Sequence, residues 1–347
     1  MKKKFVVCDY ANPNNYTFPS FGFGSSEKRI WQVAKTLSEM DDIEVIITGP
    51  MWLPEYVPNA VHFKQRLDEA TADQFLKEFG KVDYLFAGHE YFDKKKQTDS
   101  FFRVANKLAS YVLHPYEFGP ESVFDGHKAF LFCYSEEMRK KYADQKPIQL
   151  FLYHSGVGEN AYLTANPKPY LVWIGRLDAQ KAPHYAILAA EILGKEIKVL
   201  GKSVYDAEYS EKYKTILEKP HVKLCGVVFG DEKMKLLSEA ECALYTCSKE
   251  YCEAGAGTLG EILCSGVPLA GMTWKGDDAV SEAVSSPLLG SVARVRDGVT
   301  DDEIARLLAV SVNDCLWLDR SRIYELAHEQ YDMKRLMRQM MDTMDSQ

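Results

Sequence analysis

The chain has 347 residues, 46% hydrophobic and 27% charged, an ordinary globular composition long enough for two domains. Its net charge of −8 argues against a general nucleic-acid binder, and no apolar run approaches the roughly 18–20 residues of a membrane span. After Met1-Lys-Lys-Lys4 the apolar run Phe5-Val-Val-Cys8 stops at Asp9, short of the about 7–15 residues of a signal-peptide core, so a cytoplasmic protein is expected. Residues 1–168 carry 21 basic against 22 acidic side chains, leaving 21 against 28 in the rest. The first half is therefore the better placed for peripheral contact with an anionic membrane face or a lipid-linked substrate. The eight cysteines form no C-x-x-C pair, and Cys8, Cys133, Cys225 and Cys264 sit in apolar runs, which reads as reduced core thiols.

Short apolar runs alternate with helical patterns from end to end. Strands are expected at 4–8, 43–48, 82–87, 110–114 and 128–134, and then at 170–174, 197–200, 222–227, 242–246 and 267–271. Helices are expected at 25–40, where Ile30, Val33, Ala34 and Leu37 recur at helical spacing, and at 182–193, 207–217 and 231–238. Such alternation predicts an α/β protein with parallel sheets covered on both faces. Asn166-Pro-Lys-Pro169 reads as the linker between two domains, and the chain after Arg320 reads as charged helix.

Glu253-Ala-Gly-Ala-Gly-Thr-Leu-Gly-Glu261 places two carboxylates around a glycine-rich turn, between the strand-like Cys242–Cys247 and a short helix that stops at Gly266. A strand, a glycine turn and a helix start form a site for a negative group, through free N–H groups and the helix dipole. Acids flanking such a site suit a ligand that also carries hydroxyls, because an ionised carboxylate only accepts hydrogen bonds. A nucleotide-sugar has both parts. Two solvated acids beside an ordinary turn would give the same spacing. Upstream, Gly175-Arg-Leu-Asp-Ala-Gln-Lys181 puts Arg176 and Lys181 at the carboxyl end of a strand, where open α/β sheets bind ligands.

The E-x7-E segment resembles that of the retaining glycosyltransferases of family 4, and G-R-L with its following Lys matches the same family. The resemblance implies the GT-B fold: two Rossmann-like domains facing across a cleft, with a C-terminal helix crossing back to the first. It implies an acceptor-side domain over 1–166, a nucleotide-sugar-binding domain over 167–325 and a returning helix over 326–347. Glu253 would hold the donor sugar, Glu261 the ribose, and Arg176 and Lys181 the diphosphate, with Ala254, Gly255, Ala256, Gly257 and Thr258 as donor-binding positions between the acids. Gly255 replaces the bulky aromatic common in the family, and Ala182 its usual Gly. By position, Val228 would meet the base through its backbone and Ser248 matches a serine that precedes the motif helix. Gly24 and Ser25, in Gly22-Phe-Gly-Ser-Ser-Glu27, would approach the diphosphate or simply cap the first helix. His114 would steady the sugar, and His89 would face the acceptor; a histidine at a strand end also serves purely structural roles.

The implied activity is metal-independent transfer of a hexose, most plausibly from UDP-glucose, to a hydroxyl of a saccharide or lipid-linked saccharide in polysaccharide or glycolipid synthesis. No D-x-D metal motif occurs in the chain, and no cofactor is implied. A nucleotide-sugar epimerase of the same fold and a non-catalytic partner subunit are the rival readings.

Overall fold

Phe5, Val6, Val7 and Cys8 are all buried, although side chains alternate between the two faces of a strand. A strand buried on both faces belongs inside a parallel sheet with helices on each side. The structure, a computed structural model, describes residues 2–9, 17–19, 25–88, 95–111, 129–141, 148–149, 161–202, 207–251, 253 and 255–346. It divides into two units, one of Met1–Tyr134, Met138–His154 and Asp332–Gln347, the other of Ser135–Glu137 and Ser155–Tyr331.

The first unit holds strands β1 (Lys3–Cys8), β2 (Ile43–Thr48), β3 (Val61–Phe63), β4 (Val82–Gly88), β5 (Ala105–Tyr111), β6 (Ala129–Cys133) and β7 (Ile148–Gln149). They lie in the order β3-β2-β1-β4-β5-β6-β7, all neighbours parallel, with Phe5 between Val45 and Tyr84 in register. The second unit holds β8 (Lys168–Ile174), β9 (Glu196–Leu200), β10 (Val222–Gly226), β11 (Ala240–Tyr245), β12 (Leu269–Thr273) and β13 (Gly290–Arg294). Their order is β10-β9-β8-β11-β12-β13, again wholly parallel. The core of this unit packs Trp173, Val199, Leu244 and Met272 of the sheet against Ile187 and Leu308 of flanking helices.

The α/β expectation holds, with local corrections. Strand β5 begins at Ala105 rather than at residue 110, and Lys168 and Pro169 of the expected linker already belong to β8. Proline is tolerated at a strand's start, before the ladder needs its missing N–H. The helix expected at 207–217 is two pieces, Ala207–Lys212 and Lys214–Leu217. Strands β3, β7 and β13 were not expected; each is a sheet edge, short or half-exposed, and carries little apolar signal. Seven described cysteines are free thiols, six of them buried, while Cys225 is half-exposed rather than in the core. No helix among the described residues is long and apolar enough to cross a membrane.

Past Asp332, which caps it, the last helix Met333–Asp345 is part of the first unit. Its Leu336, Met337, Met340, Met341 and Met344 are buried, and it packs on the helix Ser25–Ser38. At its end the Asp345 carboxylate accepts from Lys3 Nζ (2.6 Å), Lys107 Nζ (2.8 Å) and Tyr84 Oη (2.7 Å), and Arg338 pairs with Asp42. Burial raises the Asp345 pKa, but the hydrogen bonds from Lys107, Lys3 and Tyr84 outweigh it and hold the carboxyl well below its ordinary range. Burying one such apolar side chain contributes about 1.5–3 kcal/mol, whereas an exposed ion pair gives about 0–1 kcal/mol. The methionine face therefore dominates. Met340→Ala should cost about 2–5 kcal/mol in urea unfolding, and Asp345→Asn about 1 kcal/mol or less. A depressed carboxylate pKa stabilises above the unfolded value of about 3.9 and loses that effect as pH falls through the folded value. The gap between wild type and Asp345→Asn should thus be flat from pH 5 to 7 and shrink below pH 4; a gap constant down to pH 2 contradicts the assignment.

Candidate functional site

The order of the second sheet runs outward in opposite senses from β8 and β11, which are therefore the neighbours at its switch point. Loops leaving the carboxyl ends of two such strands diverge and leave a crevice between them, where open α/β sheets bind ligands. Here the loops carry Arg176 and Lys181 after β8, and Ser248, Tyr251 and Glu253 after β11, ahead of a helix that begins at Gly257. They are stitched together at their base. Ser248 N donates to Gln180 O (2.9 Å), and Thr246 Oγ1 donates to Lys181 O (2.7 Å) while accepting from Trp173 Nε1 (2.9 Å). The end of β9 presses close as well. Gly201, at φ 137°, would place a Cβ 1.8 Å from the Gly175 carbonyl oxygen, so only glycine fits.

Within the first loop, Arg176 Nε lies 2.8 Å from Asp178 Oδ2 and its guanidinium donates to Gln180 Oε1 (2.6 Å). The other Asp178 oxygen accepts from Lys181 N (2.9 Å), which closes the turn. Arg176 keeps 37% of its side chain exposed, so a ligand can reach it. Lys181 is enclosed. Its ammonium pairs with Glu253, donates to Tyr245 Oη (2.7 Å), and lies over the Tyr251 and Tyr245 rings at 4.8 and 5.2 Å. Glu253 also accepts from the Tyr245 hydroxyl and from Gly255 N (3.2 Å).

Burial alone would lower the Lys181 pKa and raise that of Glu253. Each offsets the other's burial, so the lysine ends above its ordinary value and the glutamate below. Burial, and then the Glu253 carboxylate, pushes the Tyr245 phenol well above its usual range, so it remains a donor.

Glu261 stands on the helix Gly257–Cys264, whose Leu259, Ile262 and Leu263 are buried and fix its rotation. Its Oε1 accepts from Lys233 Nζ (2.6 Å), on the helix Gly230–Ser238. The Gly257 helix starts after an extended Ala256, and no side chain caps its first amides. Leu259 N donates to Ala256 O (3.1 Å), while the N–H groups of Gly257 and Thr258, with the positive end of the helix dipole, are available to an anion. Gly255 is buried at φ 154°, which L-residues rarely adopt, while Ala256, Thr258 and Val228 are half-buried; Val228 lies two residues past β10. Ser25 opens the first long helix, whereas Gly24, His89, His114 and Ala254 lie outside the described residues.

Sequence reasoning missed Lys233, Tyr245 and Tyr251. A signal existed for Lys233, which shares the buried face of its helix with Met234 and Leu237. None existed for Tyr245, one aromatic in an apolar strand. Removing one partner of a buried ion pair costs about 3–5 kcal/mol, because the other charge is left unmatched. Lys181→Met should therefore destabilise by about that much in urea unfolding, and adding Glu253→Gln should recover part of the loss. The depressed Glu253 and the raised Lys181 place this stabilisation between the ordinary carboxylate and lysine ranges, about pH 4–10, with loss on either side. Additive losses in the double variant contradict the pair.

No protein-family model matches the chain, and no curated protein matches it by sequence. Solved structures do. AviGT4, a glycosyltransferase involved in avilamycin A biosynthesis, aligns over 98% of this chain and 96% of its own at a TM-score of 0.70 and 17% identity. Anabaena HepE in complex with UDP-glucose aligns over 99% and 100%, at 0.62 and 12%. Sucrose-phosphate synthase from Thermosynechococcus elongatus aligns over 99% and 98%, at 0.64 and 10%. With two parallel sheets of this order and such near-complete alignments, the chain has the GT-B fold of the glycosyltransferases.

Proposed function

We propose that this protein is a cytoplasmic, retaining, metal-independent glycosyltransferase of the family 4 type. It moves a hexose, glucose from UDP-glucose in the first instance, to a hydroxyl of a saccharide or lipid-linked saccharide. The observation that carries this reading is the pair of buried carboxylates, each with its own lysine, on either side of an uncapped helix start at the switch point. The solved complex of HepE with UDP-glucose supports the choice of donor class.

In this mechanism the exposed Arg176 and the first amides of the Gly257 helix meet the diphosphate, with the Lys181 charge behind them. Their preorganised donors stabilise the negative charge that grows on the leaving group. Glu253 orients the sugar through its hydroxyls, and Glu261 accepts from the ribose. The bond from the anomeric carbon to the diphosphate oxygen breaks, and the acceptor oxygen bonds to that carbon on the same face. The acceptor's proton passes to a diphosphate oxygen. Lys181 and Tyr245 hold one Glu253 oxygen and Gly255 N donates to the other, which keeps acceptor capacity for a sugar hydroxyl, so Glu253 serves as an anchor, with no nucleophilic role.

Incubation with UDP-glucose and a saccharide panel, read by NMR, should give a product of retained anomeric configuration, unaffected by EDTA. Arg176→Ala should lower the rate about 10²–10³-fold, the loss of one preorganised donor. An inverted product, strict dependence on added Mg²⁺, or a wild-type rate for Arg176→Ala contradicts the mechanism.

The two carboxylates separate by ligand. Glu261→Gln should weaken UDP and UDP-glucose alike by about 10–150-fold, the worth of one hydrogen bond to a charged group. Glu253→Gln should leave UDP affinity near the wild-type value and depress transfer. Calorimetry and initial rates decide, and equal loss of UDP affinity in both variants defeats the assignment.

A further inference from the structure

Lys233 has no part in the mechanism above, and its position is costly. It is the fourth residue of the helix Gly230–Ser238, where a positive charge opposes the helix dipole, and only 9% of it is exposed. Lysine is rarely buried so far without a partner. Beside Met234 and Leu237 a methionine would fill the same length with no charge to desolvate. Packing therefore does not account for an ammonium here; its partner does. Lys233 Nζ lies 2.6 Å from Glu261 Oε1, and Glu261 Oε2 has no hydrogen-bond partner among the described residues. An ionised carboxylate offers about four lone-pair positions, so one lysine leaves most of them for a ligand.

We infer that Lys233 is a positioning residue, which holds the Glu261 carboxylate in one orientation so that its second oxygen receives the vicinal hydroxyls of a ribose. This rests on the nucleotide-donor reading of the site. The helix that carries Lys233 follows the β10 loop with Val228, so the same side chain ties the loop assigned to the base to the carboxylate assigned to the sugar of the nucleotide. Discrimination for ribose then depends on Lys233 although it touches no part of the nucleotide.

The test compares UDP with 2′,3′-dideoxy-UDP, which lacks only the hydroxyls in question, by calorimetry on the full chain. The wild type should prefer UDP by about 10–150-fold. Lys233→Met should bring the two ligands within about threefold of one another. It should do so by losing UDP affinity while the dideoxy ligand binds as before. Lys233→Arg should restore a preference. Glu261→Gln should show the same collapse, with no further loss in the Lys233→Met/Glu261→Gln double variant. That double variant leaves no unmatched charge and carries the test if Lys233→Met fails to fold by circular dichroism.

A Lys233→Met or double variant that keeps the wild-type preference overturns the inference. So does equal weakening of both ligands by Lys233→Met, which marks a merely structural role. A wild type that binds neither ligand overturns the donor reading itself, and a wild type that binds both equally overturns the ribose role of Glu261.

Discussion

Two glutamates buried beside one helix start impose the constraint around which the second unit is arranged. Removing a charge from water without a partner costs several kcal/mol, so each acid must have its own cation. Lys181 reaches Glu253 from the loop after β8, and Lys233 reaches Glu261 from the helix after β10. Both lysines come from the β10-β9-β8 half of the sheet, and both glutamates follow β11, across the point where the strand order reverses. The sheet topology thus sets which charges can meet. The stitched loops and the glycine contact between the ends of β8 and β9 tie the arrangement together.

What the arrangement leaves open matters as much as what it pairs. Arg176 remains accessible, the first amides of the Gly257 helix have no side-chain cap, and Glu261 keeps one oxygen without a partner among the described residues. Donors for an anion and acceptors for hydroxyls therefore lie on the two flanks of the same turn. A phosphate site alone needs only the donors. The acids become useful when the ligand carries hydroxyls near its phosphates, and this makes a sugar nucleotide a better match than a simple anion.

Much of this was legible in the sequence for reasons that can be traced. Strands buried on both faces, such as Phe5–Cys8 and Tyr170–Ile174, read as apolar runs because helices cover both sides of a parallel sheet. Edge strands did not: Gly290-Ser-Val-Ala-Arg294 fully buries only its two small residues, Gly290 and Ala293, and looks like a loop. Arg176, Lys181, Glu253 and Glu261 could be named from motif spacing, but their partners could not. The pairing of Lys181 with Glu253 spans 72 residues and that of Lys233 with Glu261 spans 28, distances over which only the folded sheet decides who meets whom. The returning C-terminal helix followed from the resemblance; its methionine face, once folded, explains why that segment belongs to the first unit rather than to the one it leaves.

The measurement that bears most directly on this account is a crystal structure of the chain grown with UDP. The diphosphate should lie against Arg176 and the first turn of the Gly257 helix, with the ribose hydroxyls within hydrogen-bonding distance, about 2.5–3.0 Å, of Glu261 Oε2. Glu253 should remain paired with Lys181 and make no contact with UDP. UDP bound away from the β8–β11 switch point, or a ribose turned from Glu261, would contradict it.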